Sequence, residues 1–148
     1  MNKLVITVIV IVFATASFVI FSQANKSDKL GEITIILIDE IGDTTSNIKY
    51  DFTEEDTLFS ILDENFNLMC ANNSYKIDDN CDPVLFGSRV IMKIDTIETD
   101  FSHNFIRIYI NDVPSQTGID FIPLKDGYLY RFNFTVYKSN FTEIGDGS

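Results

Sequence analysis

The chain has 148 residues and carries 11 Lys and Arg against 22 Asp and Glu, a formal net charge of −11 at pH 7. That balance argues against nucleic acid or anionic lipid as a partner, because both would be repelled rather than neutralised. It leaves solubility as sufficient reason for an acidic surface, and the length suits one modest core rather than two.

At the amino end, Lys3 precedes an uncharged run from Leu4 to Phe21, the form of an export signal. The run is longer than a usual signal-peptide apolar region and just long enough to span a bilayer as a helix. Against retention, Ser22-Gln23-Ala24 places small residues where a signal peptidase reads. Residues 1–24 are therefore expected to be either a cleaved signal peptide or a retained hydrophobic anchor helix. Either outcome puts the remainder outside the membrane, secreted or anchored at the cell surface.

Residues 25–32 read as a polar linker. Ile33 to Asp39 is a nearly continuous β-branched run that suits a buried strand. Turn chemistry fills residues 40–46, and Ile48, Tyr50 and Phe52 then alternate with polar residues, so the two segments predict a hairpin. Thr53 before Glu54, Glu55 and Asp56, followed by Leu58, Phe59, Ile61, Leu62 and Phe66 at helical spacing, predicts a helix over about residues 54–65. The acids would sit at its positive end and the apolar stripe on the sheet.

The remainder reads as strands. Leu68–Cys70 and Tyr75–Ile77 are short, and Asp78 to Pro83 is a polar turn. Longer strands follow at Arg89–Ile97, Phe105–Ile110 and Tyr128–Tyr137, with turns at Asn111-Asp112 and Asp126-Gly127. Residues 139–148 form a polar tail. Two strands, one helix and further strands predict an α+β domain, a β-grasp-like mixed sheet with one packed helix.

Cys70 and Cys81 are the only cysteines. In an exported domain a disulfide is the first expectation, with two free thiols as the alternative. A structural zinc site needs four ligands, and the one histidine, His103, is distant. His103 has Ser102 beside it in a polar loop, but neighbours in sequence seldom converge on one atom, so a surface histidine and a non-enzymatic chain are expected. Asp78, Asn80 and Asp82 alternate like the opening of a calcium loop, yet Pro83 and Arg89 stand where Gly and Glu are required. No catalytic residue and no metal ligand set is predicted. Asn133-Phe134-Thr135 and Asn140-Phe141-Thr142 match the glycosylation acceptor pattern, as does Asn72 with Ser74.

Three segments carry a resemblance: Phe86-Gly87-Ser88-Arg89-Val90-Ile91-Met92-Lys93-Ile94; Ile108-Tyr109-Ile110-Asn111-Asp112; and Gly118-Ile119-Asp120-Phe121-Ile122-Pro123-Leu124-Lys125-Asp126-Gly127. With Asp56-Thr57-Leu58-Phe59-Ser60-Ile61-Leu62 they resemble, in order and spacing, the transcobalamin-like carboxy-terminal domain family over residues 33–138. The chain departs in having no Trp before its hairpin turn, Asp112 where the family has Gly, and Tyr128 after Gly127. The resemblance implies a β-grasp-like module, which in animal cobalamin carriers is the smaller of two domains closing on the corrinoid. Phe86, Gly87 and Phe121 are the matching ligand-binding positions, with aromatic faces stacking on the ligand and Gly87 admitting backbone approach. The alternative is that both Phe side chains simply pack at strand ends.

A module without the larger helical domain offers one wall of a site, so a partner protein or a dimer would complete the enclosure. No cofactor is required on this reading, and a cobalamin-like small molecule is the ligand. The implied partners are the membrane through an uncleaved leader and an envelope protein or transporter, with no nucleic acid. The rival expectation is a structural or protein-interaction module of the cell envelope with no small-molecule ligand.

Overall fold

The computed structural model describes residues 28–84 and 86–137. The expected leader at 1–24 and the polar tail at 139–148 lie outside these residues. No helix among the described residues is long and apolar enough to cross a membrane. The elements in chain order are β1 (Gly31–Ile38), β2 (Thr44–Phe52), α1 (Leu58–Asn65), β3 (Leu68–Ala71), β4 (Ile77–Asp78), β5 (Ile91–Ile94) and β6 (Ile97–Glu98). There follow β7 (Asn104–Ile110), β8 (Val113–Pro114), a 3-10 turn (Ile119–Phe121) and β9 (Leu129–Val136).

The architecture is α+β, and its strands divide into two sheets where the sequence predicted one. The first has the order β2-β1-β9-β7-β8, with β1 parallel to β9 and the other neighbours antiparallel. The second, β4-β3-β5-β6, is antiparallel throughout. The division arises within the segment Arg89–Ile97, which is not one strand. Asp95 takes a left-handed φ of 53° and its carboxylate accepts the Asn67 N–H at 2.8 Å, turning the chain between β5 and β6.

One core serves both sheets. The alternate residues Ile33, Ile35 and Leu37 of β1 are fully buried with Tyr130 and Phe132 of β9. Leu58, Ile61 and Leu62 of α1 join them, as do Ile91, Ile94 and Ile97 of the second sheet. Each such side chain contributes about 1.5–3 kcal/mol by leaving water.

Three boundaries differ from expectation for local reasons. The helix starts at Leu58, capped by Thr57, whose hydroxyl accepts the Ser60 N–H at 3.0 Å while Ser60 Oγ accepts the Thr57 N–H at 2.9 Å. Thr53 instead closes a turn with Asp56, whose carboxylate accepts from both its N–H and its hydroxyl. Glu54, Glu55 and Asp56 therefore precede the helix, and its first turn holds no acid. β1 begins at Gly31, inside the expected linker, because the Asp126-Gly127 turn fastens its start: the Asp126 carboxylate accepts the Glu32 N–H at 2.8 Å and the Gly127 N–H reaches Glu32 O at 2.8 Å. Tyr75 leaves its expected strand at a φ of 55°, its N–H turned back onto Asn72 O at 2.8 Å.

Candidate functional site

The residues that the family resemblance singled out fall together. Phe86 and Gly87 lie in the loop before β5, and Phe121 ends the 3-10 turn. All three border one face, where a Cβ added to Gly87 would lie 4.0 Å from the Phe121 ring. Phe86 is 93% exposed and Phe121 57% exposed. They do not pack at strand ends. An open depression of about 470 Å³ lies against Phe86 and Phe121, with Val90, Thr117 and Gly118 in its wall.

The loop backbone holds Phe86 outward. Phe86 has a φ of 50° and Gly87 of 76°, a left-handed pair that costs a residue bearing a Cβ about 1–2 kcal/mol. Gly87 suits that geometry because it has no side chain to clash.

The two loops are joined by a polar clamp. Asp120 accepts the Arg89 N–H at 2.6 Å and the Ser88 hydroxyl at 3.1 Å, and it pairs with the Arg89 guanidinium. Both charged side chains are mostly buried, at 28% and 18% exposure. Gly118 is required beside them, since a Cβ there would overlap the buried Ser88 side chain. Arg89 reaches further: its Nε donates to Cys81 O at 2.7 Å, and its guanidinium carbon stands 4.1 Å from the centre of the Phe59 ring on α1. Cys81 is bonded to Cys70 as expected, which ties this loop to β3. A single arginine thus links the helix, the disulfide loop and the 3-10 turn. Sequence reasoning had not singled out Ser88, Arg89 or Asp120 as a unit.

The other sequence candidates stay apart from this face. The His103 side chain is 82% exposed, with Nδ1 2.6 Å from Asp100. The Asp100 carboxyl lies well below the usual carboxylate range because the His103 N–H donates to it, assisted by the His103 ring and the Ser102 and Asn104 N–H groups. Asp78 accepts the Asn80 N–H at 2.9 Å, and the Asn80 amide donates to Asp82 at 2.8 Å, so these oxygens close their own turn. Among the described residues no group of three or more His, Cys, Asp or Glu is placed to hold a metal ion. Asn133 sits half-buried on β9, and Asn140 lies outside the described residues.

No family model and no curated protein matches the chain. Among solved structures it is similar to a protein of Ruminococcus gnavus ATCC 29149 to which metal binding has been ascribed. The TM-score is 0.52 at 19% identity, over 72% of this chain and 98% of that one. The likeness is one of fold.

Proposed function

We propose that this chain is an exported, non-enzymatic binding module. Its Phe86, Gly87 and Phe121 surface receives the apolar face of a corrinoid or a similar flat amphipathic molecule. One observation carries the reading: two aromatic rings stand exposed on one face instead of joining the core, with a left-handed backbone at Phe86 and Gly87 and the mostly buried Arg89–Asp120 ion pair joining their two loops. Stacking on such rings is a means of gripping a planar ligand without hydrogen bonds.

Two further features support it. A hairpin, a packed helix and a last strand parallel to β1 follow the β-grasp order, and two of the four motifs that resemble the transcobalamin-like domains, Phe86–Ile94 and Gly118–Gly127, contribute residues to the shelf. The Cys70–Cys81 bond fits an oxidising compartment beyond the membrane, in keeping with the apolar leader. The shelf is a single open wall, so tight binding calls for a second wall from a partner or another copy. Metal binding by the Ruminococcus gnavus protein is not carried over, because similarity at 19% identity speaks to fold alone.

The test is titration of the full chain, in lipid nanodiscs, with dicyanocobinamide, followed by its visible spectrum and by equilibrium dialysis against empty nanodiscs. A spectral change and retained ligand are expected, both weakened about tenfold or more by Phe86→Ala. No spectral change and no retention at high ligand concentration would reject the corrinoid reading.

A further inference from the structure

The outer edge of β7 is open where it borders a second hollow. β7 pairs with β9 from Asn104 to Ile110, but with β8 only through Tyr109 and Ile110. The last bond on the outer side runs from the Ser115 N–H to Ile108 O at 2.9 Å, after which the chain swings away to set Gly118 against Ser88. The space opened in this way is a hollow of about 320 Å³ with Ile106, Ser115, Gly118, Val90 and Ile91 in its wall.

Strand geometry fixes which backbone groups face it. The N–H and C=O of one strand residue point to the same side, and successive residues alternate. Ile108 O points away from β9, so the N–H and C=O of Ile106 and the C=O of Asn104 do the same. The Asn104 N–H agrees, since it turns outward to the Asp100 carboxylate at 3.4 Å. Among the described residues no group bonds to Ile106 N–H, Ile106 O or Asn104 O on that side. A donor between two acceptors at strand spacing is the complement of an extended peptide.

The side chains add a match of charge. Alternation puts Phe105 and Arg107 on the face turned away from the core, across from Thr135 and Asn133. Arg107 is exposed there, its guanidinium carbon 5.3 Å from the centre of the Phe105 ring. Lys29, Lys49, Arg89, Lys93 and Arg131 each pair with an acid, whereas Arg107 pairs with none among the described residues.

We infer that β7 receives an extended segment of a partner protein as an added strand, and that this segment carries an apolar residue next to an acidic one. The apolar side chain, opposite Ile106, enters the hollow beside Val90 and Ile91; the acid, one residue away and so on the other face, stands beside Arg107. The site uses no atom of Phe86, Gly87 or Phe121 and does not rest on the shelf reading.

The probe is the capped peptide Thr-Glu-Val-Thr-Val-Thr, which in antiparallel register sets its first Val against Ile106 and its Glu against Arg107. Equilibrium dialysis against the full chain in nanodiscs, with empty nanodiscs as the blank, measures binding, and NMR follows hydrogen exchange of the Ile106 amide. The peptide should bind and slow that exchange about tenfold or more, and N-methylation of its first Val should weaken binding about tenfold. Gln in place of its Glu should weaken binding about threefold in the native chain and not at all in Arg107→Gln. No binding at millimolar peptide, unchanged Ile106 exchange in the complex, or full binding of the N-methylated peptide would overturn the added strand. Equal binding of the Glu and Gln peptides by the native chain would overturn the acidic character assigned to the partner.

Discussion

Tyr130 and Phe86 are both large aromatic residues, and the fold treats them in opposite ways. Tyr130 is fully buried in β9, where its hydroxyl donates to Pro123 O at 2.7 Å and accepts the Lys125 N–H at 3.2 Å. Phe86 has no polar group to satisfy and would lose least by burial, yet it is almost entirely exposed. Hydrophobicity alone would have placed them the other way round. The difference teaches that backbone and clamp decide the matter: Tyr130 follows the alternation of a strand paired on both sides, whereas Phe86 rides on a left-handed turn fixed by Arg89 and Asp120.

The clamp is the most sensitive place to break this contrast. Asp120→Ala would strand the mostly buried Arg89 guanidinium and leave the Ser88 hydroxyl and Arg89 N–H without their acceptor. We expect a loss of about 2–4 kcal/mol in urea unfolding of the full chain, with dicyanocobinamide binding lost as well. A loss below about 1 kcal/mol would mean that the shelf is held by something other than the clamp.

Tyr130→Phe probes the opposite member of the pair and should cost about 1 kcal/mol, because the Lys125 N–H and the Pro123 carbonyl lose their hydrogen-bond partner. It also carries a pH signature. Burial raises the Tyr130 hydroxyl above the ordinary phenol value of 10.0. A folded-state pKa above the unfolded one gives stability that is complete below pH 10 and lost as the pH climbs through the folded value. Unfolding measured between about pH 9 and 11.5 should therefore show a steeper alkaline decline in the native chain than in Tyr130→Phe. The smallest stability effect belongs to Phe86→Ala, expected to change urea unfolding by no more than about 0.5 kcal/mol, since the ring buries almost nothing. A larger cost would show that Phe86 supports the fold rather than a ligand.

Much of the sheet was legible in the sequence. The β-branched run of β1, the alternation of β9 and the Asn111-Asp112 turn each follow from local chemistry, and both turn residues adopt positive φ as such a hairpin requires. The helix start was misplaced because Thr53-x-x-Asp56 and Thr57-x-x-Ser60 offer two capping patterns, and only packing chooses between them. The break in Arg89–Ile97 was hidden because apolar residues continue on both sides of Asp95. Within the candidate site, the family resemblance pointed to Phe86, Gly87 and Phe121, while the clamp was invisible. Arg89 and Asp120 are 31 residues apart, and nothing local marks either as the other's partner. Gly118-x-Asp120 against Ser88-Arg89 was the one available signal, a Gly where close approach is needed followed by an acid facing a base.

The most direct measurement is a chemical-shift map of the full chain, isotope-labelled at Phe, Tyr and Gly, during titration with dicyanocobinamide. The account predicts that the Phe86 and Phe121 rings and the Gly87 amide shift together and saturably, while Tyr130 stays in place. Shifts confined to another face, or a ligand that binds without moving these three residues, would contradict it.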